Sequence, residues 1–292
     1  MSIPASLAEL SAVLGQLAAA ASPSLVSVRS HRSVSSGFVW GPGLVVTADE
    51  ALAEQGDVAV ILPGGETVVA QIAGRDATTD VALLRIERSD LPPLVLADGP
   101  AETGGLVLVI GAQDGAATAA LGVVFRVAGA WHSLRGGDID ARIELDLRLR
   151  RNAEGGVVLN AAGRALGMAV FGPRRRTLVI PSATIKRVAT ALESHGRIVR
   201  GYLGLGLQTV TLADSQRTAV MVMSVDPKGP GAAAGLFQGD ILLAWDGTEV
   251  GNFRALLRSL GPDSVGRAAR VTIRRGGETQ EVQLTIGERQ GT

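Results

Sequence analysis

The chain has no cysteine, which excludes disulfides, a thiol nucleophile and cysteine-held zinc or iron–sulfur centres. Histidine is scarce: His31, His132 and His195 are the whole supply, so imidazole chemistry has few places to reside. A surplus of charge is missing too, since 28 Lys and Arg stand against 28 Asp and Glu. Nothing global therefore steers the protein to nucleic acid or an anionic membrane. No apolar run reaches the length needed to span a bilayer.

What is abundant is glycine, 38 residues among 292, in a chain that is 46% hydrophobic and 19% charged but only 3% aromatic. That balance excludes a disordered chain and points to many short strands joined by turns. The length suits two domains, each with a buried core. The Ala-rich stretch from Ser6 to Ala21 contains Glu9 and has no basic residue ahead of it, so it lacks the pattern of a secretory signal. It reads instead as a short helix whose Leu7, Leu10, Val13, Leu14 and Leu17 form one stripe that docks on a core.

Six strand-like runs follow: Leu25-Val28, Ser36-Trp40, Leu44-Thr47, Val58-Leu62, Thr67-Ala73 and Val81-Ile86. After the breaker Leu91-Pro92-Pro93 come six more: Leu106-Ile110, Leu121-Val127, Arg142-Leu147, Val157-Leu159, Ala165-Phe171 and Thr177-Ile180. Two sets of six predict two small barrels with a cleft between them. Pro181-Ser182 opens a helix, with Ser182 as N-cap and Ile185, Val188, Ala189 and Leu192 on its apolar face, ending at Gly196.

A different composition begins near Gly201. A strand-turn segment, a short helix closed by Gly235, an amphipathic helix through Phe253, Leu256, Leu257 and Leu260, and a hairpin across Gly276-Gly277 make a module of under about a hundred residues. The expected division is 1–22 for the N-terminal helical segment, 23–198 for the barrels and 199–290 for the last module.

The stretch Glu144 to Asn160 is the focal point of the chain. There an apolar-patterned segment gives way to Gly155-Gly156 and then to a second apolar run, so Glu154 is presented from a tight loop. Taken alone, that loop reads as a solvated turn with an exposed carboxylate.

Ser35-Ser36-Gly37-Phe38-Val39-Trp40, Thr79-Asp80-Val81-Ala82-Leu83-Leu84-Arg85-Ile86, Ile180-Pro181-Ser182 and Arg200-Gly201-Tyr202-Leu203-Gly204 resemble, each in its place, the HtrA/DegP family of trypsin-like serine proteases. Gly235-Leu236, Gly239-Asp240-Ile241 and Asp246-Gly247 look like that family's PDZ domain. The resemblance covers nearly the whole chain. It implies a mainly β protein: a trypsin-like double β-barrel followed by an α+β PDZ domain.

The catalytic pattern departs from the family. The family's Thr-x-x-His corresponds to Thr47-Ala48-Asp49-Glu50, so glutamate stands where the base would be; the family acid corresponds to Asp80 and is retained. The nucleophile's place in Ala153-Glu154-Gly155-Gly156 is taken by Glu154. His31 and His195 lie in segments expected to face away from the cleft. Acyl transfer needs an activated nucleophile, a base and oxyanion donors. Loss of one triad member costs about 10^4 to 10^6 in turnover, and here two are replaced.

In the oxyanion loop, Asn152 and Ala153 stand in the family's pattern, with Asn152 at the usual glycine. Asn tolerates the positive φ such a loop needs, and the Glu154 carboxylate would then accept its amide hydrogens. Glu50, Asp80 and Glu154 are expected to crowd one spot. Their repulsion must raise a pKa, recruit an arginine from Arg148, Arg150, Arg151 or Arg174-Arg175-Arg176, or bind a hard cation.

In the PDZ module the resemblance places a carboxylate-binding loop at Tyr202, Leu203, Gly204 and Leu205, with Leu205, Leu207, Phe253, Leu256 and Leu257 forming an apolar pocket. An extended peptide adds to the strand that follows the loop. The expected partners are peptides or protein C-termini ending in an apolar residue, with no nucleic acid, no membrane span, no cofactor and no resident metal; self-association into a homo-oligomer is left open. The compartment is also left open: the chain as it stands reads as cytoplasmic, family habit as periplasmic. Three functional readings follow: a pseudoprotease scaffold or regulator in protein quality control, a residual serine-type hydrolase, and a metal-binding module using Glu50, Asp80 and Glu154.

Overall fold

The computed structural model describes residues 7–31, 33–54, 56–96, 99–173, 176–198, 200–212, 217–261 and 264–288. The chain divides into two compact units, Met1–Arg197 and Ile198–Thr292.

The first unit opens with helix α1 (Leu7–Ala21). Strands β1 (Leu25–Ser30), β2 (Ser33–Gly41), β3 (Leu44–Thr47), β4 (Val58–Ile61), β5 (Thr67–Asp76) and β6 (Val81–Ile86) close a barrel in the order β1-β2-β3-β6-β5-β4. A second barrel is built from β7 (Leu106–Gln113), β8 (Ala116–Ala128), β11 (Arg142–Leu145), β12 (Val157–Asn160), β13 (Ala165–Phe171) and β14 (Thr177–Pro181), ordered β11-β14-β13-β12-β7-β8. Between β8 and β11, β9 (Trp131–His132) and β10 (Asp138–Ile139) form a small separate hairpin. The twelve barrel strands foreseen from the apolar runs are all present, and the hairpin is an addition that two-residue strands are too short to announce.

The periodicity of the strands follows from what covers them. Val26, Val28, Val45, Val60 and Leu84 fill the first barrel, while Val109, Val124, Ile143, Val158 and Val179 fill the second. Strand β1 is buried at five of its six positions because its outer side packs against β7. Its sequence, Leu-Val-Ser-Val-Arg-Ser, accordingly buries the small Ser27 and Ser30 beside its apolar residues. Helix α2 (Ser182–His195) buries Ile185, Val188, Ala189 and Leu192 against β5, β6, β13 and β14, and so ties the two barrels together.

Two local expectations are corrected. Ser182 is the first residue inside α2, and Pro181 occupies the N-cap position; a proline there fixes φ for the turn into the helix. The apolar stripe of α1 is not buried: Leu7 is 82% exposed and Val13 46%, whereas Leu10, Leu14 and Leu17 are half-buried. The one fully buried residue of the helix is Ala21, at its C-terminal end.

In the second unit, β15 (Gly201–Tyr202) pairs with β22 (Gly287–Glu288). A larger sheet runs β16 (Leu205–Thr211), β17 (Thr218–Val225), β18 (Ile241–Trp245), β20 (Ala268–Arg275), β21 (Glu278–Thr285), with β19 (Thr248–Glu249) beside β18. Helices α3 (Pro230–Ala233) and α4 (Phe253–Arg258) complete it. Val220, Val222, Leu236, Leu242, Leu256, Val271 and Ile273 form its core. Asp240, almost fully buried, accepts from Arg275 Nε and Nη2 at 2.8 and 2.7 Å and from Phe237 N–H at 2.8 Å. The charge is thus fully compensated, as burial requires.

Candidate functional site

The loop between β11 and β12 contains a single 3-10 turn, Arg151–Ala153. Ala153 N–H donates to the Arg150 carbonyl at 2.9 Å, Glu154 N–H to Arg151 at 3.2 Å, and Gly156 N–H to Ala153 at 3.0 Å. The turn is fastened to the rest of the barrels by Ser36, which is fully buried. Its hydroxyl accepts from Ala112 N–H at 2.8 Å and donates to the Asn152 carbonyl at 2.6 Å, while its own N–H donates to the Glu154 carbonyl at 2.7 Å. Gly155 has φ +80, and a Cβ there would sit 2.2 Å from the Ser36 carbonyl oxygen. Only glycine satisfies both conditions.

This geometry overturns the picture of a solvated tip, since Glu154 is only 9% exposed. It also overturns the expected oxyanion loop. Asn152 lies in the 3-10 turn and not at positive φ, with its side-chain amide on Gln113 Oε1 at 2.9 Å. The Glu154 amide is engaged by Arg151, so neither its own carboxylate nor a substrate oxygen receives it.

The three acids stand on two sides of the inter-barrel cleft. Asp80, with φ +59, accepts the Glu50 N–H on Oδ1 at 2.8 Å, and its carbonyl accepts from Asp49 N–H at 3.4 Å. Asp49 itself is bound by Arg75. Burial, reinforced by Glu50, Glu154 and Asp49 and opposed by the Glu50 amide, pushes Asp80 up to about 7. Burial with Glu50 nearby likewise pushes Glu154 up to about 7, against the pull of Arg151 and of the Phe171 amide. Both carboxyls therefore hold their protons to higher pH than an exposed carboxylate does.

Glu50 and Phe171 border two hollows. One, of about 430 Å³, is lined by Asp80, Trp131, Val170 and Leu178; the other, of about 490 Å³, by His31, Ser35, Arg151 and Glu154. His31 therefore faces the Glu154 side, contrary to the expectation that it points away. His195 lies at the end of α2 with Nδ1 3.3 Å from the Ala191 carbonyl, and His132 Nε2 is 2.8 Å from Asp138 Oδ1 in the hairpin.

The arginine that meets the acids is one the sequence did not single out. Arg135, between β9 and β10, places Nη2 3.2 Å from Glu50 Oε1. Arg148, Arg150 and Arg151 are exposed, and of these Arg151 alone exerts a field on Glu154. Arg176 goes elsewhere, to the buried Glu144 at 2.7 Å, together with Arg142 at 2.7 Å; Arg142 and Arg176 hold Glu144 below the usual carboxylate range. Arg174 and Arg175 lie outside the described residues. Among the described residues no three acidic or histidine side chains converge as a metal site would require.

In the second unit the segment Tyr202 to Leu205 enters the edge strand β16. The Leu203 carbonyl accepts from Gly231 N–H at 2.7 Å and the Gly204 carbonyl from Asp226 N–H at 2.8 Å. In a trans peptide C=O and N–H point in opposite directions, so the Gly204 and Leu205 N–H groups are directed away from these inner partners. Tyr202 Oη donates to Asp226 Oδ2 at 2.9 Å and steadies the turn. Strand β16 pairs with β17 on one side only, and its other edge faces α4. Leu205, Leu207 and Phe253 are partly buried against the core. Leu257 is 38% exposed, whereas Leu203 and Leu256 are 4% and 1% exposed and belong to the core itself.

The trypsin-like peptidase domain family matches residues 35–168 and the PDZ domain family residues 201–286. A probable periplasmic serine endoprotease, DegP-like, of Halomonas elongata is 30% identical over 283 residues, which cover 88% of this chain and 57% of that protein. Its counterpart in Rhizobium meliloti is 28% identical over 280 residues, 89% of this chain and 54% of the relative. The chain thus spans a little over half the length of these relatives. Among solved structures, the serine endoprotease from Yersinia pestis superposes with a TM-score of 0.75 at 24% identity, covering 99% of this chain and 100% of that one. The HtrA-type protease AlgW with a decapeptide gives 0.74 at 22%, covering 96% and 99%. Carrying a trypsin-like peptidase domain followed by one PDZ domain, and similar to DegP-like and HtrA-type proteins over most of its length, the chain belongs to the HtrA/DegP family.

Proposed function

We infer that this protein is a non-proteolytic member of its family, a peptide-binding scaffold or regulator whose PDZ domain captures C-termini. The observation that carries the reading is the turn 151–154. Glutamate stands in the nucleophile's place, and the amide that would serve as an oxyanion donor is held by the Arg151 carbonyl at 3.2 Å. A carboxylate at 154 and another at 50 supply neither an activated nucleophile nor an imidazole relay. The relatives' name as endoproteases favours the hydrolase reading, but the described cleft offers that reading no nucleophile–base pair.

For the PDZ domain, the support is the Gly204 and Leu205 amides, turned away from the inner partners of their carbonyls, beside the edge of β16 and a partly exposed Leu257. These suit a terminal carboxylate and an added strand. Incubation of the purified protein with unfolded casein and with a fluorophosphonate probe tests the first part of the reading. No cleavage and no labelling are expected. Cleavage that persists through purification and disappears with Asp80→Asn would establish a hydrolase instead.

A further inference from the structure

The hairpin β9–β10 starts and ends on the second barrel yet touches the first. At its root, the Arg142 guanidinium stacks on Trp131 at 5.1 Å and Trp131 Nε1 donates to the Ala141 carbonyl at 3.3 Å. Just beyond β10, Asp140 accepts from Thr184 and Arg187 of α2 at 2.6 and 3.0 Å. Between these anchors the strand ends are clipped by His132 Nε2 and Asp138 Oδ1 at 2.8 Å, and the turn is shaped by Ser133, whose Oγ accepts from Arg135 N–H and Gly137 N–H at 3.2 and 3.1 Å.

The tip then reaches across. Arg135 Nη1 donates to the Ala77 carbonyl and Nη2 meets Glu50 Oε1, both at 3.2 Å. Gly137 lies so close to the loop before Asp80 that a Cβ on it would come within 2.3 Å of the Thr78 carbonyl oxygen. The tip thus overhangs the hollow of about 430 Å³ that contains Asp80.

We propose that the hairpin from Trp131 to Ile139 is a strap that closes the inter-barrel cleft over Asp80, with Arg135 on Glu50 and Ala77 as its fastener and Gly137 as its seat. The two anchored roots make it a rigid flap. Its tip is held by one half-exposed ion pair, one carbonyl contact and close backbone packing. An exposed ion pair shifts an equilibrium only a few-fold, so a fastener of this strength permits opening rather than sealing the cleft. The strap uses Glu50, the residue that replaces the family's histidine, so the closing contact belongs to this chain. It does not depend on whether the cleft cleaves or only binds.

The chain carrying Leu134→Cys tests this directly, because its sequence contains no other cysteine and Leu134 is 73% exposed on the strap. A nitroxide at that position reports strap mobility, and hydrogen exchange at residues 77–80 reports access beneath it. Arg135→Gln and Gly137→Ala are each expected to narrow the nitroxide spectrum and to speed exchange at 77–80 by about two- to tenfold. Glu50→Gln should add little to Arg135→Gln, as expected for two ends of one contact. Parent-like spectra and exchange in Arg135→Gln would overturn the proposal, and that variant decides the matter even if Gly137→Ala does not fold.

Discussion

Ser36 and Asn152, 116 positions apart, meet in a hydrogen bond of 2.6 Å from the serine hydroxyl to the asparagine carbonyl. That bond joins the first barrel to the turn bearing Glu154 and holds the turn with its amides facing inward. Removing the hydroxyl leaves the buried Ala112 N–H and Asn152 carbonyl without this partner. Ser36→Ala is expected to destabilise the first unit by about 1–3 kcal/mol, and Gly155→Ala by more, because its Cβ meets the Ser36 carbonyl. Urea unfolding followed by near-ultraviolet dichroism measures both; an unchanged midpoint for Ser36→Ala would show that the turn does not rely on this bond.

Placing at positions 50 and 154 the residues that the resemblance assigns there, by Glu50→His and Glu154→Ser, is not expected to give proteolysis at the level of an active relative. The hydroxyl and imidazole return, but the donor at position 154 remains bonded to Arg151, and one missing oxyanion donor costs about 10^2 to 10^3 in rate. Adding Asn152→Gly gives the loop access to positive φ and should increase fluorophosphonate labelling over the double variant. Equal labelling of the two would mean that the turn is not the barrier.

Asp80 and Glu154 make stability fall as pH rises. Their ordinary values are 3.8 and 4.5, and in the fold both are pushed up to about 7. Between those limits the folded state holds more protons than the unfolded one, so the slope of unfolding free energy against pH is negative. The two groups contribute no penalty below about pH 4, an increasing one toward pH 7, and a constant one above about pH 8. The melting temperature is expected to drop across this window, and Glu154→Gln should flatten the drop and raise the melting temperature at pH 8. A profile identical to the parent's would remove Glu154 as a source.

For the PDZ domain, peptides ending in an apolar residue with a free carboxylate are expected to bind with dissociation constants in the micromolar range, roughly −8 kcal/mol. Amidation of the peptide terminus should weaken binding at least about tenfold by removing the charge proposed to meet the Gly204 and Leu205 amides. Leu257→Ala should reduce affinity with little effect on folding, whereas Leu256→Ala should cost about 2–5 kcal/mol of stability as a core truncation. Isothermal calorimetry and thermal melts separate the two; undiminished binding of amidated peptides would place the site elsewhere.

Twelve apolar runs with intervening turn residues were enough to determine the barrels, because strand period and turn chemistry are local properties. That Glu50 and Glu154 stand where the resemblance places the family's histidine and serine is also read from the flanking motifs. Tertiary structure decided where those carboxylates turn. Arg135 reaches Glu50 across 85 positions and Ser36 pins the 151–154 turn across 116; neither partner is local. The same reason divides Leu256 from Leu257 and leaves Leu7 and Val13 exposed on α1. A helical stripe shows which residues can be buried together, but only the packed neighbours determine which of them are.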